Sequence, residues 1–95
     1  MGSLHGGVIA AALDETCAWT AVLLADTLAV TATLDIRYRK PAGTADMLSL
    51  VGTLGEASGR RLRLGARLLH DETVLAEAQG LFLATDPVAT LWPTG

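Results

Sequence analysis

Residues 8–24 are apolar at almost every position, and from Leu28 onward apolar and polar residues alternate. The first stretch, VIAAALDETCAWTAVLL, contains no Gly or Pro and is rich in Ala and Leu, which predicts a helix that fades near Ala25-Asp26-Thr27. Because it is apolar on every side, this helix is expected to be buried on every side. Asp14 and Glu15 interrupt it, and a carboxylate in an apolar setting is costly unless it is paired or used.

The alternating part divides into four strands. In the first, Val30, Ala32, Leu34, Ile36 and Tyr38 are expected on one face and Thr31, Thr33, Asp35, Arg37 and Arg39 on the other, up to Pro41 and Gly43. A second, over about 46–56, groups Leu48, Leu50 and Leu54. Ser58-Gly59 predicts a hairpin turn into a third, over 60–70, where Leu62, Leu64, Ala66 and Leu68 alternate with Arg61, Arg63, Gly65 and Arg67. His70-Asp71-Glu72 turns the chain into a fourth, over 73–84, with Val74, Ala76, Ala78 and Phe82 on one face and Glu77 and Gln79 on the other. Asp86-Pro87 is expected to end the sheet, leaving a short irregular tail over 86–95 anchored by Trp92. Three consecutive hairpin-like links imply a largely antiparallel sheet. Its apolar face needs cover, and one helix is available to give it. The fold class is α+β: a single domain over 1–95, with a curled antiparallel sheet wrapped around one central helix.

Composition adds an oligomer to this picture. A hydrophobic share of 51% is high for a 95-residue soluble monomer and points to a homodimer or homotetramer. A net charge of -3 and only four aromatic residues, Trp19, Tyr38, Phe82 and Trp92, argue against nucleic acid as a partner. The single Cys17 excludes an internal disulfide and suits a reducing cytoplasm. No signal-peptide pattern is visible, and in MGSLHG the residue Gly6 stands where a myristoylation signal wants Ser or Thr. Residues 8–30 are long enough to span a bilayer, yet Asp14, Glu15 and Asp26 interrupt them, so a soluble core helix without a membrane is expected.

The candidate chemistry sits at the start of the helix. His5-Gly6-Gly7 leads directly into it, and a glycine turn at a helix N-terminus offers free amides and the positive end of the dipole to an anion or a developing oxyanion. Asp14 follows eight residues after Gly6, about 12 Å along the helix. The two cannot touch one atom unless a substrate, such as a long thin acyl group, lies along the helix. The plainer alternative is a simple glycine turn and a solvated acid.

Here the residues match a known pattern. His5-Gly6-Gly7 with Leu13, Asp14 and Glu15, and then the strand end Ile36-Arg37-Tyr38-Arg39-Lys40-Pro41-Ala42, resemble the hotdog-fold acyl-CoA thioesterases, over roughly residues 4–85. The likeness is greatest to the phenylacetate-pathway and 4-hydroxybenzoyl-CoA thioesterase branch. His-Gly-Gly alone is a weak signal; with the acid at this spacing and the Tyr-x-x-Pro-Ala strand end it is more specific. The resemblance implies hydrolysis of an acyl-CoA to free acid and CoA without a cofactor. The Gly6 amide would polarise the carbonyl, and Asp14 would act as nucleophile or as general base. His5 would shape the turn, Gly7 would contribute to substrate binding, and Thr31 would assist from the neighbouring subunit. It also implies a helix and a strand ahead of the His-Gly-Gly turn, which these residues do not contain. Either the sequence is a piece of a longer one or another protomer supplies that cover, and an extra open sheet edge is expected.

Other features weigh less. Arg60, Arg61, Arg63 and Arg67 form a basic stripe; Arg60 and Arg61 are candidates for the CoA phosphates, against the alternative of cross-strand pairing with Glu56 and Glu77. Glu15 reads as a solvent or interface residue and Cys17 as core packing. His5, His70 and Cys17 lack the spacing of a metal site. No G-x-S-x-G nucleophile elbow accompanies the His-Gly-Gly turn, which sets the lipase arrangement aside. A non-catalytic acyl-CoA-binding or regulatory hotdog module is the alternative function. The hydratase branch of the fold would need a His a few residues after Asp14, and there is none.

Overall fold

The computed structural model describes residues 5–43 and 46–88. It contains one helix, α1 (Gly6–Ala25), and four strands, β1 (Thr27–Tyr38), β2 (Leu48–Ser58), β3 (Arg61–His70) and β4 (Thr73–Pro87). The helix starts at its glycines and ends where Asp26 turns left-handed, at φ 55° and ψ 39°. An aspartate tolerates that conformation better than most residues. The anchoring role expected of Trp92 lies outside the described residues.

All four strands are antiparallel, in the order β1-β4-β3-β2. Gly59, at φ +59°, makes the tight turn between β2 and β3, and Asp71, at φ 56°, the turn into β4. The expected third hairpin does not form. β1 pairs with β4 instead of β2, because the segment after Tyr38 stays against β4, with the Arg39 and Lys40 amides both donating to the Leu75 carbonyl. β4 also continues past Ala84, so Asp86-Pro87 lies within the sheet opposite Thr27. Among the described residues, the outer edges of β1 and β2 have no strand partner.

The helix touches all four strands, so the sheet wraps it. The core is Ile9, Leu13, Cys17 and Ala21 from the helix against Leu62, Leu64, Ala66 and Leu68 of β3 and Ala76, Ala78 and Phe82 of β4. Gly52 lets β2 come close, since a Cβ there would fall 1.9 Å from the Thr20 hydroxyl oxygen. The helix is not buried on every side. Trp19, Leu23 and Leu24 remain 57%, 74% and 62% exposed. A single sheet layer covers only one side of a cylinder, and the apolar remainder is left to solvent.

Strand β1 departs from simple alternation. Thr31 pairs with Phe82 but Thr33 pairs with Leu81, so Ala32 is an extra residue and β1 bulges there. One extra residue swaps the faces. Thr31 therefore shares a face with the fully buried Phe82, and so do Leu34, Ile36 and Tyr38 beyond the bulge. The expected placement of Val30 and Ala32 on the core face, with Thr31 opposite, is corrected by this bulge.

Candidate active site

His5 caps the helix. Its backbone is extended at φ −66° and ψ 140°, its Nδ1 accepts the Gly7 amide at 2.9 Å, and its carbonyl accepts the amides of Val8 and Ile9 at 3.0 and 3.2 Å. The neutral ring then carries its proton on Nε2. Of the first four helix amides, only that of Gly6 has no acceptor among the described residues. It points outward from the positive end of the helix dipole. The Gly7 amide, expected at the substrate, donates here to the His5 ring. Tyr38 closes the other side by donating from its hydroxyl to the Gly6 carbonyl at 2.8 Å. Sequence reasoning missed this contact, although the tyrosine of the strand-end motif was the available signal.

Two turns along, the Thr31 hydroxyl donates to Asp14 Oδ1 at 2.8 Å. Asp14 is half-buried on the flank of α1 that faces β1, and the bulge at Ala32 turns Thr31 toward it. The pair belongs to one chain. The resemblance implied a Thr31 hydroxyl assisting from a neighbouring subunit; within this chain that hydroxyl meets its own Asp14. Cys17, one turn beyond Asp14, is fully buried, and burial together with the Asp14 charge pushes its thiol up to about 11. It is a packing residue and a poor nucleophile.

The basic stripe does not join this site within one chain. Arg61, in register with Leu83, and Arg63, in register with Leu81, lie on the face of the sheet away from the helix. Arg60 Nε donates to the Ala84 carbonyl at 2.9 Å. Glu77 stands in register with Arg67 and Arg37 but pairs with Arg39. A hollow of about 510 Å³, lined by Thr33, Asp35, Arg63 and Gln79, is on that same outer face, away from Gly6 and Asp14.

The helix cap and the acid–hydroxyl pair, set against a wrapped sheet, define a class before any relative is considered: a fold with an anion-seeking amide at one point of a helix and a carboxylate two turns on. The chain belongs to the thioesterase superfamily, whose family model matches residues 1–77. It is 32% identical over 88 residues to acyl-coenzyme A thioesterase THEM4 of Mus musculus, covering 90% of this chain and 37% of that protein. The chain thus spans little more than a third of the curated relatives it matches. The solved structure of a thioesterase superfamily protein from Shewanella loihica PV-4 is 27% identical, with a TM-score of 0.76 over 88% of this chain and 70% of that one. That of smu.793 from Streptococcus mutans UA159, bound to acetyl CoA, is 21% identical with a TM-score of 0.84, over 90% and 69% of the two chains. The architecture is the hotdog fold.

Proposed function

We propose that this chain hydrolyses an acyl-CoA thioester, with the Gly6 amide as oxyanion donor and Asp14 as nucleophile or general base. The observation that carries the proposal is the Asp14–Thr31 hydrogen bond on the same helix as an open N-terminal amide. Thr31 holds one carboxylate oxygen and leaves Oδ2 to the substrate. As a base, Asp14 takes a proton from water as the water oxygen bonds to the carbonyl carbon. The C–S bond then breaks, the proton passes to the thiolate, and free acid and CoA result. As a nucleophile, Asp14 would bond to the carbonyl carbon and expel the CoA thiolate, and water would then open the resulting anhydride, returning the Asp14 carboxylate and the free acid while its proton goes to the thiolate.

One thioester carbonyl cannot sit on both groups of a single chain, since eight residues of helix separate them by about 12 Å. We therefore assign each site to two copies around a two-fold axis, Gly6 of one facing the Asp14–Thr31 pair of the other. The exposed apolar residues of the helix support such an assembly. The free Cys17 fits a reducing compartment such as the cytoplasm.

Free-thiol release from a panel of acyl-CoA substrates tests the activity, and Asp14→Asn is expected to lower it by roughly 10²–10⁴-fold. An unchanged rate removes Asp14 from the mechanism. Mixing Gly6→Pro chains with Asp14→Asn chains tests the sharing of sites. A mixed two-fold pair holds one doubly defective site and one intact site, so about a quarter of wild-type activity should return. No recovery, with mixed pairs present, would place both groups in one chain. Binding of acyl-CoA with no turnover of any substrate would favour the non-catalytic module.

A further inference from the structure

The first turn of α1 carries the amide on which the proposed chemistry depends, and its own sequence holds it poorly. It opens with two consecutive glycines, Gly6 and Gly7, each of which keeps helical geometry roughly five-fold less readily than alanine. The turn has no acidic residue to steady it through the helix dipole. Val8 is 56% exposed, and the first core anchor is Ile9, three residues after Gly6. Two side chains make up for this. His5 caps the turn from within the helix segment, and Tyr38 reaches it from the far end of β1, donating its hydroxyl to the Gly6 carbonyl at 2.8 Å. The tyrosine itself stands on fixed ground. The next two amides, of Arg39 and Lys40, both donate to the carbonyl of the buried Leu75, the Arg39 side chain pairs with Glu77, and Ala42 is buried in the core.

We propose that Tyr38 is a positioning residue for the oxyanion donor: its hydroxyl clamps the glycine turn to the sheet and so aims the Gly6 N–H. The inference rests on the hydrolase assignment and adds a residue to that site. Tyr38 acts through the turn and not on substrate, since its one hydroxyl proton is committed to the Gly6 carbonyl. That carbonyl belongs to the Gly6–Gly7 peptide, whose N–H donates to His5 Nδ1. The two side chains therefore hold opposite edges of one peptide plane, His5 its N–H and Tyr38 its C=O. With that plane fixed, and with His5 extended before it, the Gly6 N–H has one direction. A donor held in place before substrate arrives costs no reorganisation during the reaction, which is what makes it worth more than a mobile one.

Two measurements test this. Tyr38→Phe keeps the ring and removes the hydroxyl. In steady-state hydrolysis its kcat should fall roughly 3–10-fold, the factor of one neutral hydrogen bond, with KM within about two-fold of wild type. Placed in a Gly6→Pro chain, the same substitution should cost nothing further, because no amide is left to aim. A merely structural tyrosine would lower kcat by the same factor in both backgrounds, so an additive loss overturns the proposal, as does wild-type kcat in Tyr38→Phe. Amide hydrogen exchange reads the clamp without turnover. In Tyr38→Phe the amides of Gly7, Val8 and Ile9 should exchange roughly 3–10-fold faster, and that of the buried Leu13 at the wild-type rate. The two proposals fail separately. Faster exchange in the turn of a chain whose wild type hydrolyses no acyl-CoA keeps the clamp and removes the hydrolase. Hydrolysis together with unaltered exchange keeps the hydrolase and removes the clamp.

Discussion

Replacing Gly6 by proline removes one hydrogen from the molecule at the point where the chemistry is proposed to need it. The backbone is already suited to the change. Proline is favoured at the first position of a helix, where its missing N–H would have no helical acceptor. The residue before a proline must be extended, and His5 already sits at φ −66° and ψ 140°. The new Cβ would lie 3.6 Å from the Tyr38 hydroxyl oxygen and 3.7 Å from its ring, which is ordinary contact. No hydrogen bond among the described residues is lost, because the Gly6 amide makes none there. Stability should consequently change by less than about 1 kcal/mol, with the loss of glycine's freedom in the unfolded chain acting in favour of the variant. The expected cost in kcat is that of one oxyanion donor, roughly 10²–10³-fold, or about 3–4 kcal/mol in the barrier. Gly6→Ala, which keeps the N–H, is the control and should stay within about an order of magnitude of wild type. Thermal melts paired with free-thiol kinetics read both quantities. A Gly6→Pro variant that melts with wild type and turns over within about three-fold of it would refute the oxyanion role.

Three further outcomes are expected. Thr31→Val removes the donor to Asp14 Oδ1. A bond to a charged group is worth about 1.5–3 kcal/mol, and at this exposed site the low end applies, so kcat should fall about 10-fold with KM little changed, and Thr31→Ser should restore it. Gly52→Ala would drive a Cβ to 1.9 Å from the Thr20 hydroxyl oxygen. Denaturant unfolding should show a loss of about 1–3 kcal/mol, much of it recovered when Thr20→Ala is added. Cys17, raised from 9.0 to about 11, should react with iodoacetamide at pH 8 about 100-fold more slowly than an unshifted thiol, and reaction at the unfolded rate would contradict its burial. Its folded value lies above the unfolded one, so the stability it lends is complete below about pH 9 and lost as pH rises through about 11.

Periodicity located every element of the described chain, because the change from an apolar run to alternation at Leu28 is a local property. Strand order was not local. Leu75 takes both amides that follow Tyr38, and no pattern within β1 announces a partner so distant in sequence. The apolar run of the helix was legible too, but a run cannot report how many layers will cover it, and Trp19 and Leu23 are where that count failed. At the candidate site, His5, Gly6 and Asp14 could be read from a short motif. The hydroxyl of Thr31 could not be placed, since its direction depends on one inserted residue that leaves no compositional mark. The motif did not announce that the Gly7 amide donates to the adjacent His5 side chain, because that contact depends on the rotamer of the capping residue.

The bulge at Ala32 also accounts for why the acid can exist where it does. With simple alternation in place of the bulge, Thr31 would face outward together with Thr33, and Asp14 would meet Val30 or Ala32 from β1. Its carboxylate would then be half-buried without a donor, a cost of the kind that usually excludes acids from such positions. A bulge in β3 or β4 would disturb two ladders; in β1, whose outer edge has no partner among the described residues, it disturbs one. The edge strand is thus the cheapest place in this sheet to turn a hydroxyl toward the helix. It also borders an apolar cleft of about 320 Å³ between Ala18, Trp19 and Val22 of α1 and Leu28 and Ala29 of β1, so acid, hydroxyl and apolar lining lie along one flank of α1. On the opposite flank, Thr16 and Thr20 lie close over Gly52 of β2, where a single added Cβ would collide with the Thr20 hydroxyl.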